Sequence, residues 1–183
     1  MTRAKATNAV LTVGSGRGFV VKYDARGHSA RIVITAAHCL PRFPRCGDGA
    51  QGDQWDWTYK ALLGPLGQAP TVWAECIFAD PIADIAVLCE PDNQELFAEA
   101  DAYNALVDAM TPLPIVDAPE DGPAWLLSLD RKWHRCRAQH FNGPLNITDA
   151  AAGIKGGMSG SPIITKDGAP RLASSRSAAV PAT

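Results

Sequence analysis

The sequence predicts an all-β fold of short antiparallel strands, and three observations predict it. Short apolar runs rich in Val, Ile and aromatic residues recur along the chain, separated by turns of Gly, Pro and Asp. Runs at that spacing suit an antiparallel barrel. The best helical composition is confined to one stretch, 93–110, and no internal repeat is visible.

Taken in order, residues 10–23 read as a strand broken by Gly14, Gly16 and Gly18 and ending in Phe19-Val20-Val21-Lys22-Tyr23. Residues 24–29, with Gly27, form a turn. Arg31 to Thr35 is the next strand, and it delivers His38. Residues 41–56 are polar and read as a loop. Residues 57–63 and 71–78 are strands, and Asp84 opens a further apolar strand ending at Cys89. Within 93–110, Leu96, Phe97, Ala100, Tyr103, Leu106, Val107 and Met110 recur at three- and four-residue steps. Pro112, Pro114, Pro119 and Pro123 then punctuate a boundary. A second strand series follows at 125–129, 133–141 and 145–148, with a strand and turn over 161–168. The expected organisation is 1–110, 111–168 and a tail, 169–183, rich in Ser and Ala and read as disordered.

Of the 183 residues, 46% are apolar, enough for a sizeable core. The net charge of −2 argues against nucleic acid or an anionic membrane as the main partner. No apolar run is long enough to span a bilayer. The basic start, Met1 to Thr7, has no apolar region after it, so a secretory signal is not expected in this chain.

Three stretches carry chemistry. In Lys155-Gly156-Gly157-Met158-Ser159-Gly160-Ser161-Pro162 a serine sits among glycines that allow a sharp bend. So bent, the N–H groups of Gly157 and Ser159 could share one hollow, the kind that binds the oxyanion in acyl transfer. Ile32-Val33-Ile34-Thr35-Ala36-Ala37-His38-Cys39 runs an apolar strand into a histidine. Asp84-Ile85-Ala86-Val87-Leu88 opens a strand with an aspartate. A serine hydroxyl needs a base to take its proton. Histidine is a base near neutral pH, and a carboxylate fixes its tautomer. Asp80 is the alternative carboxylate. His28, His134 and His140 read as surface or satisfied residues. Neither metal nor cofactor is expected, since His38, Cys39 and Cys46 lack a second ligand pair.

These words, in the order His, Asp, Ser, resemble those of the chymotrypsin-like serine endopeptidases over roughly residues 12–168. The resemblance implies two antiparallel six-stranded-type β-barrels with the active site in the cleft between them. It implies catalytic roles for His38, Asp84 and Ser159, an oxyanion hole at the Gly157 and Ser159 amides, and a pocket floor near Gly153. It implies a peptide or protein substrate and a secreted or periplasmic location. Met158 replaces the acidic residue of the animal digestive members, and Ser161 also departs from them. Both look more like the bacterial glutamyl-endopeptidase and HtrA-type branches. No acidic residue stands near Gly153, so a preference for Arg or Lys lacks its usual warrant.

The ending departs further. Few residues follow Ser159, so the second barrel is expected to be incomplete. One source is a shifted coding frame after Gly168: codons exist for which a one-nucleotide shift restores an apolar Ala-Ile-Gly-Val-Val-Ser strand and a sixth cysteine. The rival reading is therefore a catalytically impaired or non-catalytic peptide-binding module on the same fold. An esterase of another fold is disfavoured, because Gly-X-Ser-X-Gly in the order Ser, Asp, His is absent.

Five cysteines are present. Cys76 and Cys89 are placed symmetrically about Pro81-Ile82-Ala83, so a hairpin would set them nearly opposite and allow a disulfide. Cys39 and Cys46 could close a short loop. Reduced, buried thiols are the equal alternative.

Overall fold

The structure, a computed structural model, describes residues 2–25, 28–43, 57–114, 121–140, 145–165 and 170–171. The first half contains β1 (Val10–Val13), β2 (Gly16–Ala25), β3 (His28–Thr35), β4 (Thr58–Pro65), β5 (Val72–Asp80) and β6 (Ile85–Cys89). These six strands close into an antiparallel barrel in the order β1-β2-β3-β6-β5-β4. β1 against β4 closes it, with Leu11 opposite Pro65 and Val13 opposite Leu63. Strands β2 and β3 pair from Gly18/Thr35 out to Ala25/His28, so they extend into the stretch expected to be a turn.

Strand alternation explains the unbroken apolar runs of β2 and β3. Val20 and Val33 join Leu11, Val13, Leu63 and Leu88 in one buried cluster. Their neighbours Phe19, Val21 and Ile34 join a second cluster with Val10, Leu113, Leu127 and Ile164. A strand buried on both faces has no polar face to show.

The second half is a five-stranded sheet, β7 (Gly122–Leu127), β8 (Trp133–His140), β9 (Leu145–Thr148), β10 (Ile163–Thr165) and β11 (Pro170–Arg171). Its order is β11-β10-β7-β8-β9, and among the described residues it does not close. Among the described residues the architecture is thus one closed barrel and one unclosed sheet, in keeping with an incomplete second barrel. β7 splits its side chains as β2 does. Ala124 and Leu126 pack with Cys136, Met158 and Ile163, whereas Leu127 and Trp125 face the cluster shared with the barrel. That shared cluster joins the two halves.

Two helices complete the described chain. In α1 (Arg3–Thr7), the carbonyl of Arg3 and the hydroxyl of Thr7 accept from Trp133 Nε1 at 3.0 and 2.8 Å. The Arg3 guanidinium lies 4.5 Å from the Trp125 ring centre, so the N-terminal turn straps the barrel to the second sheet. α2 (Phe97–Asp108) falls within the stretch expected to be helical. Its last turn carries no basic residue. Arg31 of β3 serves instead, donating to the carbonyls of Val107, Asp108 and Met110 at 2.7, 2.8 and 3.0 Å.

The Cys76–Cys89 disulfide does not form; both thiols are free. From Asp80/Ile85 to Phe78/Val87 the hairpin keeps the symmetric register, which would bring Cys76 opposite Cys89. A bulge between Cys76 and Phe78 shifts it by one residue. Cys76 then pairs with Leu88, and Cys89 with Glu75. A one-residue slip turns a side chain to the other face. Cys39 is also free, and Cys46 lies outside the described residues. Of the tail, only Pro170 and Arg171 are described, paired with Ile164 and Ile163.

Candidate active site

β3 ends at Thr35 and a single 3-10 turn, Ala37–Cys39, follows. Ala37 and Cys39 turn inward and are buried, so the residue between them, His38, faces outward. Opposite, the turn between β5 and β6 ends at Asp84. The backbone of Asp84 is left-handed, at φ 57°. Aspartate tolerates that region better than most residues. Asp80 shapes the same turn: its Oδ1 accepts from the amides of Ile82 at 2.8 Å and Ala83 at 2.9 Å. It is a turn former here, with its carboxylate committed to the backbone.

His38 and Asp84 are held together at three points. The Asp84 carbonyl accepts from the Ala37 amide at 3.1 Å. Oδ1 accepts from the His38 amide at 3.0 Å, and Oδ2 lies 2.7 Å from His38 Nδ1. A carboxylate oxygen accepts, so Nδ1 is the donor in this contact. The His38 side chain is 49% exposed and Asp84 only 17%. The carboxylate is sheltered while the imidazole reaches out.

The serine loop meets the barrel through its backbone. The Ser159 carbonyl accepts from the Arg17 amide at 2.8 Å. Gly160, at φ 77°, comes so close that a Cβ there would stand 1.9 Å from the Arg17 carbonyl oxygen and 2.7 Å from Thr35 Oγ1. Gly160 and Ser161 share with Asp84, Thr35 and Ala36 a void of about 10 Å³, room for one water. The serine word therefore lies beside the histidine and aspartate words. No hydrogen bond joins the Ser159 hydroxyl to the His38 imidazole among the described residues.

Gly157 takes φ 85°. The Met158 amide donates to the Lys155 carbonyl and the Ser161 amide to the Met158 carbonyl, at 3.2 and 3.1 Å. The amides of Gly157 and Ser159 take part in no backbone hydrogen bond among the described residues. Met158 is buried in the second-sheet cluster, and its sulfur accepts from the Lys155 amide at 3.3 Å. Packing thus anchors Met158, the residue just before Ser159. Gly153, at φ 67°, lies in an exposed turn with open space around it. A cleft of about 360 Å³ runs from Gly157 past Gly14, Ser15 and Gly16 to Leu129 and Arg131.

Cys39 lies under this arrangement, and burial pushes its thiol up. A Cβ on Gly16 would fall 2.5 Å from its Sγ, so that glycine makes room for it. His134 and His140 pair with Asp130 and Asp121, at 3.5 and 3.1 Å. Thr35 and Arg17 are structural parts of the site that the sequence reading passed over. The signal was Arg17 itself, a charge between two glycines at the start of an apolar strand.

No protein-family model and no curated protein matches the chain. Among solved structures it is similar to the Rv3671c protease in its inactive form, at 18% identity and a TM-score of 0.51. That match covers 91% of this chain and 77% of that one. The NS6 protease of murine norovirus 1 aligns at 16% identity and a TM-score of 0.48, over 97% and 89% of the two chains. The barrel and sheet form a fold of the chymotrypsin-like kind.

Proposed function

We propose that the chain is a serine endopeptidase working through His38, Asp84 and Ser159. The observation that carries this reading is the pairing of His38 Nδ1 with Asp84 Oδ2 at 2.7 Å, with the serine loop docked beside it. In this mechanism Ser159 Oγ attacks the scissile carbonyl carbon and its proton passes to His38 Nε2. The imidazolium, stabilised by Asp84, then gives that proton to the leaving amine. Water attacks the acyl-enzyme by the same route and restores the serine. The unused amides of Gly157 and Ser159 are the donors for the oxyanion. The Ser159–His38 hydrogen bond then forms in the substrate complex, since active-site hydrogen bonds often tighten only with substrate bound.

The substrate is a peptide or protein chain, and a secreted or periplasmic setting fits such a hydrolase. The resemblance to the glutamyl-endopeptidase and HtrA-type branches rests on Met158 and Ser161 alone. A second reading is a peptide-binding module that does not turn over. Among the described residues, the second sheet that does not close and the lack of a Ser159–His38 hydrogen bond favour it. A fluorophosphonate probe separates the two. Labelling at Ser159, lost in His38→Ala, supports the enzyme. Peptide binding without labelling supports the module.

A further inference from the structure

We propose that Arg17 is a positioning residue that clamps the Ser159 loop and the β7–β8 turn to the barrel, setting the nucleophile against His38. Its effect on rate rests on the serine-hydrolase reading; its effect on the loop does not.

Arg17 sits in β2 and is only 5% exposed. A buried guanidinium is costly unless its donors are satisfied. Here they are satisfied across the junction of the two halves. Nη1 donates to the Leu127 carbonyl at 2.8 Å and Nη2 to the Ser128 carbonyl at 3.1 Å. Nη1 also makes a long contact of 3.5 Å to Ser161 Oγ, within the serine loop. The same residue's amide donates to the Ser159 carbonyl at 2.8 Å. Its own carbonyl accepts from Thr35 Oγ1 at 2.6 Å. Thr35 lies three residues before His38.

One residue thus ties three elements that must agree for Ser159 and His38 to meet. Its main chain holds the histidine strand through Thr35 and the serine loop through Ser159, while its guanidinium holds the second sheet through Leu127 and Ser128 and reaches the serine loop at Ser161. Burial lowers the Arg17 pKa, and Arg131 lowers it further against the opposing pull of Asp130. A structure that only needed a filled space there would use an apolar side chain. The fork spans two consecutive carbonyls, which a lysine's single ammonium cannot match.

The test uses Arg17→Met and Arg17→Lys in the full chain. Hydrogen exchange of amides in 155–162 is measured beside that of β2–β3, and fluorophosphonate labelling is timed in parallel. Exchange in 155–162 should rise about 10-fold or more in Arg17→Met with β2–β3 little changed. The labelling rate and kcat should fall about 10- to 100-fold, with KM nearly constant and the pH midpoint unmoved, because the His38–Asp84 pair makes no contact with Arg17. Arg17→Lys should lie between, and it carries the test if the methionine variant does not fold. Unchanged exchange in 155–162 overturns the clamp whether or not the wild-type chain is labelled. Raised exchange with an unchanged labelling rate leaves Arg17 merely structural and overturns the positioning role.

Discussion

Asp84 grips His38 twice with one carboxylate, once through the ring at 2.7 Å and once through the backbone amide at 3.0 Å. The second bond matters as much as the first. It ties the backbone that carries the ring to the carboxylate, so Asp84 cannot swing away from the imidazole without also breaking the bond to the amide. The left-handed Asp84 backbone and the Asp80-bonded turn before it make this grip available.

The two carboxylates of that turn should separate cleanly. Asp84→Asn keeps the left-handed backbone and the shape, but the amide can stabilise the wrong imidazole tautomer. Peptide turnover is expected to fall about 10⁴-fold with little change in melting temperature. Asp80→Ala removes two hydrogen bonds from the turn. It should cost about 1–3 kcal/mol of stability and much less activity. Reversed results would assign the orienting role to Asp80.

Ser159→Ala and His38→Ala should each lower turnover by about 10³-fold or more, because in the proposed mechanism the groups act as a unit. The double variant should be little worse than either alone. Losses that simply multiply in the double variant would show that the two side chains do not share a step.

Local words were legible, and what lies between them was less so. His38, Asp84 and Ser159 stand in short motifs whose apolar strands announce themselves, and the hairpin around Pro81-Ile82-Ala83 follows the symmetric register near its turn. The bulge at Ile77 was not legible. It leaves consecutive Ile77 and Phe78 53% and 51% exposed and defeats the disulfide that symmetry invited. Arg17 escaped because its partners are backbone carbonyls of Leu127 and Ser128, which carry no side-chain signature. The open sheet is likewise a matter of pairing. Ile163 and Ile164 have neighbours in β7 and β11, and strand composition does not say whether the far edges meet.

The free thiols predict an alkaline limit to stability. Burial holds the Cys76 and Cys136 thiols up at about 11 and Cys89 at about 12, against an ordinary value of 9.0. Folding therefore favours the protonated thiol. That preference is fully present below about pH 9 and is lost as pH rises through about 11. Tyr103, also raised by burial, adds to the same loss. The urea midpoint should fall between pH 8.5 and about 10.5. The fall should be shallower in Cys76→Ala, and reductant should leave the midpoint at pH 7 unchanged. A midpoint that drops on reduction would point to a disulfide instead.

Two glycines of the serine loop should respond oppositely to the same methyl group. At Gly156 a Cβ meets nothing within 4 Å. Gly156→Ala is therefore expected to stay within about 0.5 kcal/mol of wild-type stability and to be labelled normally. At Gly160 the same atom would lie 1.9 Å from the Arg17 carbonyl oxygen, on a backbone at φ 77°. That carbonyl is already fixed by Thr35 Oγ1 and cannot retreat without unseating the strand that leads to His38. The left-handed backbone alone costs an alanine about 1–2 kcal/mol, and the clash adds to it. Gly160→Ala should melt well below the wild type. Whatever fraction stays folded should react far more slowly with a fluorophosphonate, because Ser159 moves with its neighbour. Thermal unfolding and labelling of the three proteins under one set of conditions decide the matter. A Gly160→Ala protein as stable and as reactive as Gly156→Ala would mean that the loop does not dock on Arg17 and Thr35 as described.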